Sequence, residues 1–129
     1  MASVVAVSNG EAGSSVRGKI NSVIDAVNVV PRTVTGSFTV LATDDLDLIR
    51  VDSATDVVCT LPADLPAGFS TTIVQVGVGT FSLTAGSGAT RNVRGDVYKS
   101  AGQWATVTAF VDTNAGAAAH WVGTGDLAA

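Results

Sequence analysis

The 129-residue chain has one cysteine, one histidine, three prolines and 5% aromatics, and only 14% of its residues are charged, against about 25% in an ordinary domain. Each shortage excludes something. A single Cys59 rules out an intrachain disulfide framework, and with His120 it falls short of the three or four nitrogen or sulfur ligands of a zinc site. Placed between Val58 and Thr60 in a strand-like run, Cys59 reads as a small buried hydrophobe. No run approaches the roughly 18–20 apolar residues of a membrane-spanning helix, and no basic region followed by an apolar stretch marks a secretory signal. Seven basic residues scattered from Arg17 to Lys99 face eleven acidic ones, for a net charge of −4. Nucleic acid, which is bound through clustered Lys and Arg, is therefore excluded as the main partner.

What replaces charge is Gly, Ser, Thr and Val, a mixture suited to turn-rich β structure. With 47% apolar residues and a mean hydropathy of +0.41, the chain is no disordered segment, and its length allows one domain with a short attachment. Three regions differ in texture. Residues 1–13 hold a short Val-rich extended piece, Ala2, Ser3, Val4, Val5, Ala6 and Val7, ending at the turn-like Ser8-Asn9-Gly10. It has no partner nearby in sequence, so it reads as an edge strand of the main sheet or as an arm docking on another protein.

Residues 14–32 read as the one helix, with Ser14 or Ser15 as its cap and Pro31 closing it. Val16, Ile20, Val23, Val27 and Val30 recur at alternating spacings of four and three, and Ile24 widens the stripe. Every position is β-branched, which in parallel coiled coils shifts preference from dimers towards trimers or tetramers. The seam is only about two heptads long, so an amphipathic helix lying on its own domain's sheet accounts for the same pattern.

Residues 33–129 read as β throughout, with strands over 34–40, 48–51, 57–61, 70–76, 81–85, 90–94, 96–99, 103–111 and 119–122. Short strands with Gly-rich turns and no helix between them predict an antiparallel β-sandwich or small barrel rather than a parallel α/β sheet.

Candidate chemistry is sparse. Gly77-Val78-Gly79 and Gly86-Ser87-Gly88 lack the third Gly or the Lys-Ser of phosphate loops and read as hairpin turns. His120 has only nonspecific triad companions in Ser100 and Asp112. Asp44, Asp45, Asp47, Asp52 and Asp56 form a dense acidic stretch that fits no EF-hand. A solvated turn is the main account of it, calcium the lesser one, and no pair stands out for glycosidase chemistry. Tyr98, Trp104 and Trp121 read as core or subunit-interface anchors.

The run Asn9-Gly10-Glu11-Ala12-Gly13-Ser14-Ser15-Val16-Arg17-Gly18-Lys19-Ile20-Asn21 resembles a segment near the start of tailed-bacteriophage virion proteins, especially fibres. Thr60-Leu61-Pro62, Ala67-Gly68-Phe69, Ile73-Val74-Gln75-Val76-Gly77 and the closing Trp121-Val122-Gly123-Thr124-Gly125-Asp126-Leu127-Ala128-Ala129 are similar to the C-terminal β-domain of phage fibre and decoration proteins. The resemblance implies a homotrimer without cofactor or catalysis. It gives the expectation of a virion structural protein: a docking arm (1–13), a trimeric stem (14–32) and a β knob (33–129). The knob follows the stem directly, which suits a small head fibre or decoration protein on the capsid, docked through its arm on the major capsid protein or another virion protein. A short tail fibre or a module binding host-surface glycan is the alternative.

Overall fold

The computed structural model describes residues 10, 12, 13, 16–20 and 30–129. Residues 16–20 are helical, and Gly13 is helical too; the Val16 amide donates to Ala12 O at 3.1 Å, so the helix begins ahead of Ser14. Val30 and Pro31 are no longer helical, and Arg32 already belongs to a strand.

From Arg32 onwards the chain is a two-sheet β structure. Its strands are β1 (Arg32–Val34), β2 (Phe38–Thr39), β3 (Leu48–Val51), β4 (Val57–Leu61), β5 (Ser70–Gln75), β6 (Phe81–Ala85), β7 (Thr90–Val93), β8 (Lys99–Ser100), β9 (Thr106–Thr113), β10 (His120–Gly125) and β11 (Leu127–Ala128). One sheet has the order β1-β3-β5-β9-β10-β7 and the other β11-β8-β6-β4-β2.

The expected sandwich of β layers is present, but its ladders are not purely antiparallel. Five pairings are parallel: β1 with β3, β3 with β5, β2 with β4, β4 with β6, and β7 with β10. Parallel neighbours need a crossover of a dozen or more residues, usually a helix. In the first four of these a strand of the opposite sheet serves as that crossover. The first six strands alternate between the sheets and stack as three two-strand rungs, β1/β2, β3/β4 and β5/β6. From the second rung to the third the offset is 24 residues in both sheets, pairing Ile49 with Ile73 and Cys59 with Leu83. Strands β7 to β11 then complete both sheets, by antiparallel pairings apart from the parallel β7–β10 ladder that ends the first sheet.

The expected strand over 34–40 is accordingly broken. Residues 35–37 turn the corner between sheets, and Ser37 Oγ accepts the Val58 amide at 3.0 Å. Likewise, Gly77-Val78-Gly79 and Gly86-Ser87-Gly88 are not hairpins; they carry the chain from β5 to β6 and from β6 to β7, between sheets. Gly77 and Gly79 are needed for close approach. A Cβ there would lie 2.4 Å from Ser53 O and 2.0 Å from Thr55 O, in the corner of the rung below.

Alternation supplies the core. The burial of β4 and β5 switches residue by residue, sending Val57, Cys59, Leu61, Thr71, Ile73 and Gln75 inward. Phe81, Leu83, Val107 and Trp121 complete the interior. Trp121 meets Phe69 edge-on at 5.6 Å, and its Nε1 donates to Pro62 O at 2.8 Å. Two fully buried polar groups bridge the sheets. Ser100 Oγ donates to Gln75 Oε1 at 2.7 Å and accepts the Phe81 amide at 2.9 Å, while Gln75 Nε2 donates to Gly77 O at 3.0 Å. Every polar atom of that bridge has a partner, as a buried network requires.

Candidate functional site

The residues expected to carry chemistry are taken up by structure. Ser100 is buried with its hydroxyl engaged on both sides, beside Leu127. His120 is exposed and starts β10, whose far end at Gly125 precedes Leu127, so the length of that strand separates the two. The triad suggestion therefore has no geometry.

The acidic stretch disperses in the same way. Asp44 pairs with Arg32; Asp45 Oδ1 accepts the Ser70 amide at 3.1 Å; Asp56 Oδ1 accepts the Thr80 amide at 2.9 Å. That backbone donor holds the Asp56 carboxyl below its ordinary range. Among the described residues no three His, Cys, Asp or Glu side chains converge as a metal site would require. These aspartates pin turns rather than line a cleft.

Cys59 is fully buried, and burial pushes its thiol up to about 12, the behaviour of a core residue rather than a nucleophile. Tyr98 is half-buried, with the Arg91 guanidinium 3.7 Å from its ring centre and its Oη donating to Asp96 at 3.0 Å, which raises its pKa. Trp121 is core. Trp104 is not core: it is 65% exposed in the corner between β8 and β9. Its φ of +70° is a left-handed conformation that costs a bulky residue roughly 1–2 kcal/mol. A 2.6 Å bond from its amide to Gln75 O fixes it there.

One surface depression, of about 260 Å³, lies where the far edges of the two sheets meet, lined by Val93, Arg94, Val97, Gly123 and Leu127 among others. It falls below the roughly 300–1,000 Å³ of small-molecule sites and has one charged group rather than several convergent ones.

The more distinctive feature is the near end of the stack. Strands β1 and β2 are the terminal strands of their sheets among the described residues, three and two residues long, each paired there on one side. An ionic clamp ties this rung together. Arg32 Nε donates to Asp44 Oδ1 at 3.0 Å and Nη2 to Asp44 Oδ2 at 2.8 Å, the bidentate geometry suited to a carboxylate. Arg32 Nη2 also reaches Thr39 O at 3.2 Å, and the guanidinium lies 5.9 Å from the Phe38 ring centre. Asp44, only 3% exposed, also accepts the Leu41 amide at 2.7 Å. This clamp joins β1 to the turn after β2 and roofs Phe38. No local pattern announces it, since its partners are twelve residues apart.

Around the clamp, apolar side chains stay open: Leu41 is 46% exposed and Val30 62%. Of the stripe expected to form a trimer interface, Val16 is half-buried and Ile20 is 52% exposed. Val23, Ile24 and Val27 lie outside the described residues, as do the arm residues Ala2, Ser3, Val4, Val5, Ala6 and Val7 expected to dock on the virion. No protein-family model, no curated protein and no solved structure matches the chain.

Proposed function

We propose that this chain is a non-catalytic structural component of a tailed-phage virion. It assembles as a homotrimer through its helical stem, docks through residues 2–7, and presents the two-sheet stack as a short knob. The observation that carries the reading is the exposure of the seam. Ile20 and Val30, both β-branched seam positions, remain more than half open in the single chain, although burying an aliphatic side chain is worth about 1.5–3 kcal/mol. Covering them by association recovers that energy. The pinned aspartates and the fully engaged Ser100 favour a structural role over a catalytic one. Capsid placement rests on reach: the helix expected from the sequence, about sixteen residues, adds roughly 24 Å, enough for a shell surface and short for a receptor-seeking fibre.

The test is made on particles. Virions carrying the protein show many tens of copies on the capsid shell, and deleting residues 2–7 leaves a folded oligomer that no longer attaches. A handful of copies found only at the tail refutes capsid placement; attachment that survives the deletion refutes the docking role of the arm. The exposed, left-handed Trp104 favours the second reading, a glycan-binding tail module. Under that reading the protein binds host-envelope polysaccharide and Trp104→Ala abolishes binding.

A further inference from the structure

We propose that the depression at the far edge of the stack binds a small organic monocarboxylate, its carboxylate held by Arg94 and its compact apolar body seated against Val93, Val97 and Leu127. The site is built by one chain, so it stands or falls independently of the homotrimer reading.

Three strands shape the depression. Among the described residues, Val93 ends β7, the last strand of one sheet, and Leu127 opens β11, the last strand of the other. Between them Gly123 of β10, paired with Val93, carries no side chain. A Cβ at Gly123 would lie 2.9 Å from Val93 Cγ2 and 3.8 Å from Leu127 Cδ1, so a larger residue there would fill the floor. Val93, Val97 and Leu127 stay half-buried around that bare backbone. The space, about 260 Å³, is too small for a drug-sized ligand but exceeds the roughly 150 Å³ that encloses a benzene ring.

Arg94 supplies the charge. The turn from Val93 to Asp96 closes with the Asp96 amide donating to Val93 O at 3.1 Å, takes Gly95 through a φ of +83°, and sets Arg94 at its second position. Arg94 is exposed and, among the described residues, has no hydrogen bond or ion pair. The other guanidinium groups of the knob are engaged: Arg32 on Asp44, Arg50 on Thr33, and Arg91 on Leu83 O and the Tyr98 ring. The neighbouring acid is engaged too, since Asp96 Oδ1 accepts the Tyr98 hydroxyl at 3.0 Å, and Asp126 does not line the depression. Residues 91–99 hold three of the seven basic residues and one acid, so this corner favours an anion although the chain carries −4. A planar guanidinium takes a carboxylate through two parallel N–H donors. One free cation matches one negative charge, and aliphatic walls match an apolar body, which gains by burial where a polar one would lose its hydration.

The test titrates benzoate into the full, nitrogen-15-labelled chain and follows its backbone amide resonances. Shifts are expected at Val93, Arg94, Val97, Gly123 and Leu127, saturating with a Kd of about 10 mM or tighter, the affinity that an ordinary ligand efficiency gives a probe of this size. Benzamide, which keeps the ring without the charge, and acetate, which keeps the charge without the ring, bind at least about tenfold more weakly. Arg94→Gln removes an exposed, unbonded cation, so the variant keeps the wild-type amide spectrum while its benzoate Kd rises at least about tenfold. Failure of the benzoate shifts to saturate by about 50 mM, or their appearance elsewhere on the chain, overturns the site. Equal binding of benzoate by Arg94→Gln and wild type overturns the role of Arg94. Benzamide or acetate matching benzoate overturns the ligand class.

Discussion

Replacing Arg32 by Ala removes the clamp and leaves Asp44 buried with one remaining donor, the Leu41 amide. Exposed ion pairs contribute about 0–1 kcal/mol, whereas removing one partner of a buried pair costs about 3–5 kcal/mol. The pair lies between these limits, since Asp44 is 3% and Arg32 31% exposed. Loss of the packing over Phe38 and of the bond to Thr39 O adds to the cost. The expected destabilisation is about 2–3 kcal/mol, or a fall in melting temperature of about 10–20 °C for a domain of this size. Asp44→Asn, which removes the buried charge and keeps an acceptor for the Leu41 amide, costs less. The double variant Arg32→Ala, Asp44→Asn recovers part of the single-variant loss, because no buried carboxylate is then left unpaired. Thermal melts followed by circular dichroism at two protein concentrations separate this effect from oligomer dissociation, which depends on concentration. An Arg32→Ala protein melting within about 2 °C of the wild type refutes the clamp as the support of the first rung.

Gly79→Ala is expected to cost at least about 3 kcal/mol, because its Cβ would meet the Thr55 backbone, which cannot rotate away; a melt close to wild type contradicts the stacked corners. Cys59, with its thiol raised to about 12, stays unreactive towards a disulfide reagent at pH 8 and reacts fully in denaturant; rapid native labelling contradicts its burial. Asp56 has a folded pKa below its ordinary 3.8, so its contribution is complete above that value and lost as pH falls through the lower folded value. Melting curves of Asp56→Asn and wild type therefore differ by a constant amount at neutral pH and converge in acid; a difference that grows in acid refutes the Thr80 contact.

Much of the β layer is legible in sequence. Val57-Val58-Cys59-Thr60-Leu61 alternates and is buried in that alternation, and the Gly and Pro clusters fall between strands as expected. What misled was the assumption that parallel pairing needs a helical crossover. The corrective signal is present as a 24-residue echo: Ile49, Ser53, Thr55, Val57 and Cys59 are matched by Ile73, Gly77, Gly79, Phe81 and Leu83. The echo reads as a repeat once small residues are allowed to stand for one another at corners. The run over 34–40 alternates smoothly through a corner because a three-residue turn leaves the period of two unbroken on either side. The clamp and the Gln75–Ser100 bridge have no sequence signature, since twelve and twenty-five residues separate their partners and only the rung stacking brings them together. The exposure of Trp104 is equally hidden, because a left-handed backbone turns outward a residue whose type belongs in a core.

The central claim is that the open stem residues Ile20 and Val30 belong to a surface of association, and native mass measurement of the full chain at micromolar concentration tests it most directly. The account predicts a species of three times the 12.9 kDa chain mass, converted towards single chains by Ile20→Asp with Val23→Asp. A wild-type protein that stays at the single-chain mass across that range contradicts it.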